Sequence, residues 1–432
     1  MMESFQKPQG YMPRVVDEQI ERYLKIFGAV EIAGTKWCGK TWAALQHGAS
    51  VSYVDEQLGL AKADPSMMLL GEQPHVIDEW QRVPSIWDTV RHEIDRTRGM
   101  RGAYILTGSS TPNSGDELPA HSGAGRIGRI RMHPMTLSES GESTGQVSLS
   151  GMFEGVFHPC VVEKDTPGLV EAACKGGWPE ALDLDAESAQ LIAQEYLRAT
   201  FNISIPAVGL DADIARRLVA SIARNLGQSA TYKTLATDMF GTEESPQTLI
   251  DEHRIREYLN ALKGMYLIEE VPGWAPPARS KKRFTIKPKR YLADPSLAIA
   301  VLGMSPEQLL YDWQTFGLVF ENLVIRDLCV YARSRGQLDT FPIRYYRDDA
   351  GLEVDAIIQL ADGRWAAFEI KVSEDKVPDG VKSLKRLRDK LCRNERAQTR
   401  PPEFMAVITG NGQYARQIED GIYAIPIRAL GK

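Results

Sequence analysis

The sequence predicts an α/β chain in three parts: a phosphate-loop domain, a helical middle and a second α/β domain. Three observations carry this. Short apolar runs alternate with helical spacing over the first third. A glycine-rich GxxxxGK[ST] pattern follows the first of those runs. A strand-rich block closes the chain.

Residues 14–27 place Val15, Val16, Ile20, Tyr23, Leu24 and Phe27 at helical spacing. The run 29–33 is a strand by length, and 51–56, 75–79 and 103–110 are three more. Helical stretches separate them, the alternation of a parallel sheet. Residues 112–150, rich in Gly, Ser and Pro, read as loops around a β segment. From about 168 to 270 the pattern is helical. Residues 215–227, 232–240 and 254–265 read as successive helices, and the last runs into a strand-like tail at 266–271. Three short helices and a hairpin make a winged-helix outline. Residues 276–291 hold seven basic residues and no acid, as a wing or a linker. After a helical stretch at 309–333, the runs 343–349, 352–360 and 365–373 read as three strands. A basic helix (381–396) and an apolar run (404–408) follow.

With 432 residues the chain is about three domains long. Its 43% hydrophobic and 25% charged residues exclude a disordered chain, a collagen and a coiled-coil rod. No apolar run approaches the ~18 residues of a membrane span, and the first residues have no apolar core. The expectation is a soluble, cytoplasmic protein without a membrane partner. The five cysteines form no CxxC pair and the seven histidines no HxxxH or HExxH pattern. That argues against a disulfide scaffold, a structural zinc site and a transition-metal enzyme.

The motif Gly34-Thr35-Lys36-Trp37-Cys38-Gly39-Lys40-Thr41 lies between a strand and a helix. Glycines let backbone N–H groups curl around phosphate oxygens, and the helix start adds its positive dipole. Lys40 is expected to reach the β- and γ-phosphates of ATP, and Thr41 to ligate Mg²⁺. Asp78, ending the run His75-Val76-Ile77-Asp78-Glu79, is the metal-side carboxylate, and Glu79 the residue that orients the attacking water. The strand at 103–110 ends in small hydroxyl residues, so Thr107, Ser109 and Ser110 are candidates for sensing the γ-phosphate. Arg126 and Arg129 are candidates for a guanidinium supplied to a neighbouring subunit's phosphate.

GTKWCGKT, HVIDEWQ, YILTGSSTP, GRIGRIRMHPMTLSESGES and GGWPEAL, in this order, resemble a widespread bacterial and archaeal family of AAA-type ATPases. Its members carry a C-terminal domain of unknown function. The resemblance covers nearly the whole chain. It implies a P-loop AAA-type ATPase domain (1–165), a helical lid and winged-helix domain (166–300) and a restriction-endonuclease-like domain (301–432). It supplies no substrate.

In the last part, Asp355 lies on one strand, and Glu369 and Lys371 share one face of the next. This is the D…ExK arrangement, in which two carboxylates hold Mg²⁺ and the lysine steadies the nucleophile. Glu321, on an upstream helix, is a further acid. Lys281, Lys282 and Arg283, with Lys382, Lys385, Arg386 and Arg393 near one face of the basic helix, are candidates for tracking DNA phosphates. The expected function is an oligomeric ATPase, up to a hexameric ring, that binds and remodels duplex or branched DNA in the manner of a branch-migration motor. The alternatives are an ATP-gated, Mg²⁺-dependent DNA nuclease and a nucleotide-switched DNA-binding regulator.

Overall fold

The computed structural model describes residues 6–97, 99–111, 122–241, 250–276, 280–334, 342–393 and 399–432. The chain divides into two compact units. One comprises Met1–Pro134 and Asn260–Leu267, the other Met135–Leu259 and Ile268–Lys432.

The first unit is built on five parallel strands: β1 (Ala29–Gly34), β2 (Ser50–Tyr53), β3 (His75–Asp78), β4 (Tyr104–Gly108) and β5 (Ile127–Met132). Their order across the sheet is β2-β3-β4-β1-β5. A parallel sheet is covered on both faces, so its central strands are apolar throughout. All residues of β1 and β4 are buried accordingly. One face packs Trp80, Ile86, Trp87 and Val90; the other packs Ile20, Cys38, Ala43 and Ala44. The β segment expected within 112–150 is β5, an edge strand; residues 112–121 lie outside the described part.

The second unit holds a succession of helices. Thr166–Lys175, Ala186–Ala199, Ala212–Arg224 and Tyr232–Phe240 each start on a capping side chain: Asp165, Asp185, Asp211 and Thr231. The helix Glu252–Gly264 comes next, and its last residues belong to the first unit. Two short strands, β6 (Val147–Ser148) and β7 (Cys160–Val161), precede these helices. The tail expected to be a strand from Tyr266 starts later, as β8 (Ile268–Val271), because Tyr266 sits in the left-handed region at φ 57° and interrupts extension. After β9 (Gly273–Trp274), the basic stretch holds a short helix, Lys282–Thr285, and then β10 (Lys289–Leu292), antiparallel to β8. Arg290 is paired across this ladder with Glu270 at 3.1 Å.

The terminal part follows the order helix Trp313–Ser334, β11 (Arg344–Arg347), β12 (Glu353–Gln359), β13 (Trp365–Lys371), helix Val377–Cys392, β14 (Phe404–Thr409). The strands β15 (Tyr414–Glu419), β16 (Ile422–Pro426) and β17 (Leu430–Gly431) complete it. Strands β11, β12 and β13 form an antiparallel meander, and the helix crosses over to set β14 parallel to β13. The full sheet reads β7-β15-β16-β14-β13-β12-β11-β9. The basic helix was expected at 381–396; it starts four residues earlier and ends at Cys392, and Arg396 lies outside the described residues.

The GGWPEAL stretch is a structural anchor in this unit. Gly176 has φ 73°, and a Cβ on Gly177 would lie 2.1 Å from the Met135 carbonyl oxygen, so neither position admits a side chain. The Gly177 N–H donates to Asp294, and Trp178 donates its indole N–H to Ser296 at 2.9 Å. Asp294 in turn meets Arg326 at 2.8 Å, and Arg326 meets Asp327 at 2.8 Å, all three buried. All five cysteines are free thiols. Among the described residues no helix is long and apolar enough to cross a membrane.

Candidate functional site

The phosphate loop joins β1 to the helix Lys40–His47. Gly34 passes so close to β5 that a Cβ would meet the Met132 carbonyl oxygen at 2.0 Å. Gly39 holds φ 97° just before the helix, a conformation other residues adopt only with strain. Both glycines are thus required by geometry. Trp37 also has a positive φ, 63°, and the residue is 45% exposed, whereas Cys38 is buried in the core. The Lys40 side chain is buried and donates from Nζ to the Thr35 carbonyl at 2.8 Å, spanning its own loop. Thr35 Oγ1 in turn donates to the Tyr266 carbonyl at 3.5 Å, and Arg131 stacks on the Tyr266 ring.

Strands β1, β3 and β4 end side by side, which brings the other predicted residues together. Asp78 Oδ1 accepts from Thr41 Oγ1 at 2.8 Å and from Thr107 Oγ1 at 2.6 Å. Thr107 also accepts the Glu79 backbone N–H at 3.1 Å. Glu79 is in the left-handed region at φ 56°, a strained position for a glutamate, which turns its carboxylate away from the line of β3. That carboxylate accepts from Ser109 Oγ at 2.8 Å and from the Gln81 amide. Gln81 also reaches Ser109, at 3.2 Å. Sequence reasoning missed Gln81, a lone glutamine two residues after Glu79 in HVIDEWQ that forms no pattern of its own. Ser110 is half-buried beyond this cluster. Thr41 and Asp78 supply hard oxygen donors 2.8 Å apart, a donor set that fits Mg²⁺, which keeps much of its own water shell.

Residues 27–141 match the model of an AAA domain. The first unit is therefore a P-loop ATPase domain of the AAA type. Two uncharacterised domains follow it: residues 166–308 match one domain of unknown function (DUF8612) and residues 316–430 another (DUF4143). No curated protein matches. Among solved structures, the chain is similar to a Walker-type ATPase of Pyrococcus abyssi at 13% identity and a TM-score of 0.43, over 70% of this chain and 99% of that one. It is also similar to the RuvB Holliday junction branch migration motor of Thermotoga maritima, at 14% identity and a TM-score of 0.27, over 62% and 93%. A third likeness is to AMPPCP-bound DnaA from Aquifex aeolicus, at 14% identity and a TM-score of 0.23, over 57% and 86%. None of the three superposes well enough to carry an argument.

Arg126 and Arg129 sit on or just before the edge strand β5. Arg129 is level with Glu31 and Gly34 with Met132, so Arg129 lies three residues, or roughly 10 Å, back from the phosphate loop. Arg126 lies three residues farther back. Arg126 pairs with Asp95 at 2.7 Å and is half-exposed. Arg129 pairs with Glu31 at 3.1 Å and lies over the Trp87 ring. Burial raises the Glu31 carboxyl against the pull of Arg129 and of the Trp80 indole N–H.

In the second unit, β12 and β13 bring Asp355, Glu369 and Lys371 together. Lys371 Nζ is 2.6 Å from Glu369 and 3.5 Å from Asp355, and Asp355 also accepts the Ile370 backbone N–H. Glu321 joins from its helix but accepts from Lys289 Nζ at 3.1 Å and Tyr291 Oη at 2.6 Å. Burial and the neighbouring Asp355 push the Glu369 carboxyl up to about 8, and Lys371 is held charged by the same acids.

The basic surfaces are partly spent internally. Arg283 donates to the Ala275 carbonyl and to Gln359, and Lys289 and Arg290 are buried. Lys281 is exposed; the Lys282 side chain lies outside the described part. On the helix Val377–Cys392, Lys385 pairs with Glu419 at 2.9 Å, Lys390 with Asp348 and Arg393 with Asp389. Lys382 and Arg386 are exposed on the same face.

Proposed function

We propose that this chain is an oligomeric, Mg²⁺-dependent ATPase whose second unit binds DNA and is worked upon by ATP turnover. The observation that carries the reading is the cluster at the ends of β1, β3 and β4. There a buried lysine, a threonine–aspartate pair and a turned glutamate converge beside a glycine loop. Mg²⁺ held by Thr41 and Asp78 would neutralise charge on the β- and γ-phosphates. Lys40 leaves the Thr35 carbonyl for the phosphate oxygens, Glu79 orients the water, and Ser109 with Gln81 fixes the Glu79 carboxylate. The proposed domains are 1–165, 166–300 and 301–432, with residues 135–165 belonging to the second compact unit.

The DNA part is supported by the succession of helices 212–224, 232–240 and 252–264 before the β8–β10 ladder, a winged-helix outline, and by exposed Lys281, Lys382 and Arg386. The deciding experiment is the ATPase rate with duplex, single-stranded and branched DNA and without DNA. Stimulation by one form supports a motor on that form. Binding without stimulation selects a nucleotide-switched regulator instead. Affinity should fall with salt, and Lys281→Glu, Lys382→Glu and Arg386→Glu together should lower the log–log slope by about three. An unchanged slope would leave these residues as solvated surface.

Assembly has its own test. A guanidinium acting on a neighbour's phosphate makes turnover per subunit rise with protein concentration, and Arg126→Ala should flatten that rise. A monomer whose specific activity is independent of concentration would refute it. Arg129→Ala is the poorer probe, because it also strips the buried Glu31 of its cation.

A further inference from the structure

The D…ExK arrangement of β12 and β13 has the side chains of a metal-dependent nuclease, but the residues around it do not fit a divalent metal. A metal site of this type needs carboxylates that converge on open space and can give up their hydrogen bonds to the ion. Here the space is filled from β10. Lys289, 4% exposed, brings Nζ to 2.8 Å from Glu353, 3.1 Å from Glu321 and 3.6 Å from Asp355. An ammonium has three donors, and these three acids take the places around it. On the far side of Asp355, Lys371 spans to Glu369. The acids and ammoniums therefore alternate: Glu321, Lys289, Asp355, Lys371, Glu369. Each carboxylate that would ligate a metal already faces a cation, and a divalent ion placed among them would meet two like charges at close range. Among the described residues no group of three or more His, Cys, Asp or Glu side chains is arranged to hold a metal ion.

The wall behind Lys289 is built to keep it there. Tyr291, two residues on and so on the same face of β10, donates to Glu321 at 2.6 Å. Gly227 closes over the same carboxylate, since a Cβ there would lie 3.0 Å from Glu321 Oε1. Strand β10 is itself fixed by its ladder to β8. The lysine is held by backbone pairing and not by a flexible loop.

We infer that Lys289 and Lys371 are the resident cations of this centre, Lys289 against Asp355 from β10 and Lys371 between Asp355 and Glu369, where a nuclease of this type holds its metal, and that the terminal domain therefore cuts no nucleic acid. The inference does not depend on the ATPase reading.

The test is Mn²⁺ binding to the full chain without nucleotide, followed by the loss of the free-ion EPR signal. All proteins compared keep Thr41 and Asp78, so any contribution from that pair cancels. In the wild type, Asp355→Asn should leave the Mn²⁺ titration unchanged. In Lys289→Met, the freed acids should gain a Mn²⁺ site at least about tenfold tighter than any in the wild type, and Asp355→Asn in that background should remove it. Should Lys289→Met fail to fold by circular dichroism, the wild-type comparison decides alone. Wild-type Mn²⁺ binding that Asp355→Asn weakens about tenfold or more would overturn the inference. So would plasmid nicking with Mg²⁺ or Mn²⁺ that Asp355→Asn abolishes.

Discussion

Lys40→Ala should abolish ATP turnover, and Glu79→Gln should leave nucleotide bound while slowing hydrolysis by about 10²–10⁴-fold, the usual contribution of a group that positions or activates the attacking water. The two effects differ because the side chains act at different stages. Lys40 is buried at the start of its helix with Nζ 2.8 Å from the Thr35 carbonyl, so its charge is already inside the loop that phosphates enter. Truncation removes that charge from both ground and transition states. Glu79 stands at the end of β3, held by Ser109 and Gln81, and its replacement by Gln keeps shape but loses the acceptor charge. A fluorescent nucleotide titration and a phosphate-release assay separate binding from turnover. Normal turnover in both variants would end the assignment. Ser109→Ala should fall between wild type and Glu79→Gln, since Gln81 still holds the carboxylate. If Ser109→Ala is as slow as Glu79→Gln, then Ser109 does more than position.

Much of the first unit was legible in the sequence, because its central strands β1 and β4 are buried throughout and so appear as short apolar runs. The cluster of Lys40, Thr41, Asp78 and Glu79 was legible for the same reason, since strand ends in a parallel sheet lie side by side. Gln81 was not, because a lone glutamine carries no pattern. Nor was Lys289. In the sequence it is one of seven basic residues without an acid among them, which reads as solvated or DNA-facing charge. The acids that claim it come from residues 321, 353 and 355, and only the fold brings them to β10. Arg326 and Asp327 were hidden in a helical run as an adjacent charged pair, which usually faces water. The helix instead turns both inward, to meet Asp294 and the backbone of Leu137.

That last cluster gives the largest stability effect. Arg326→Ala should lower folding stability by about 3–5 kcal/mol, the cost of leaving buried charge uncompensated. At roughly 2 °C per kcal/mol for a unit of this size, the melting temperature should fall by roughly 5–10 °C. The usual remedy of replacing the whole cluster by apolar residues should not work here. Asp294 also accepts the Gly177 and Ser296 N–H groups, and Asp327 accepts the Leu137 N–H at 3.0 Å, so apolar replacements would orphan buried donors. The loss should also depend on pH. Burial pushes the Asp327 carboxyl up to about 6, more than the attraction of Arg326 pulls it down. An unfolded aspartate titrates near ~3.9, so the folded value is the higher one. The stability this group contributes is then fully present below about pH 4 and is lost as pH rises through about 6. Removing Arg326 takes away the downward pull and raises the folded value further. The deficit of Arg326→Ala relative to wild type should therefore be larger at pH 8 than at pH 5. A scan of melting temperature at both values checks this. Equal deficits at the two pH values would mean that Asp327 stays charged without its partner, and that the N–H donor and not the guanidinium holds it there.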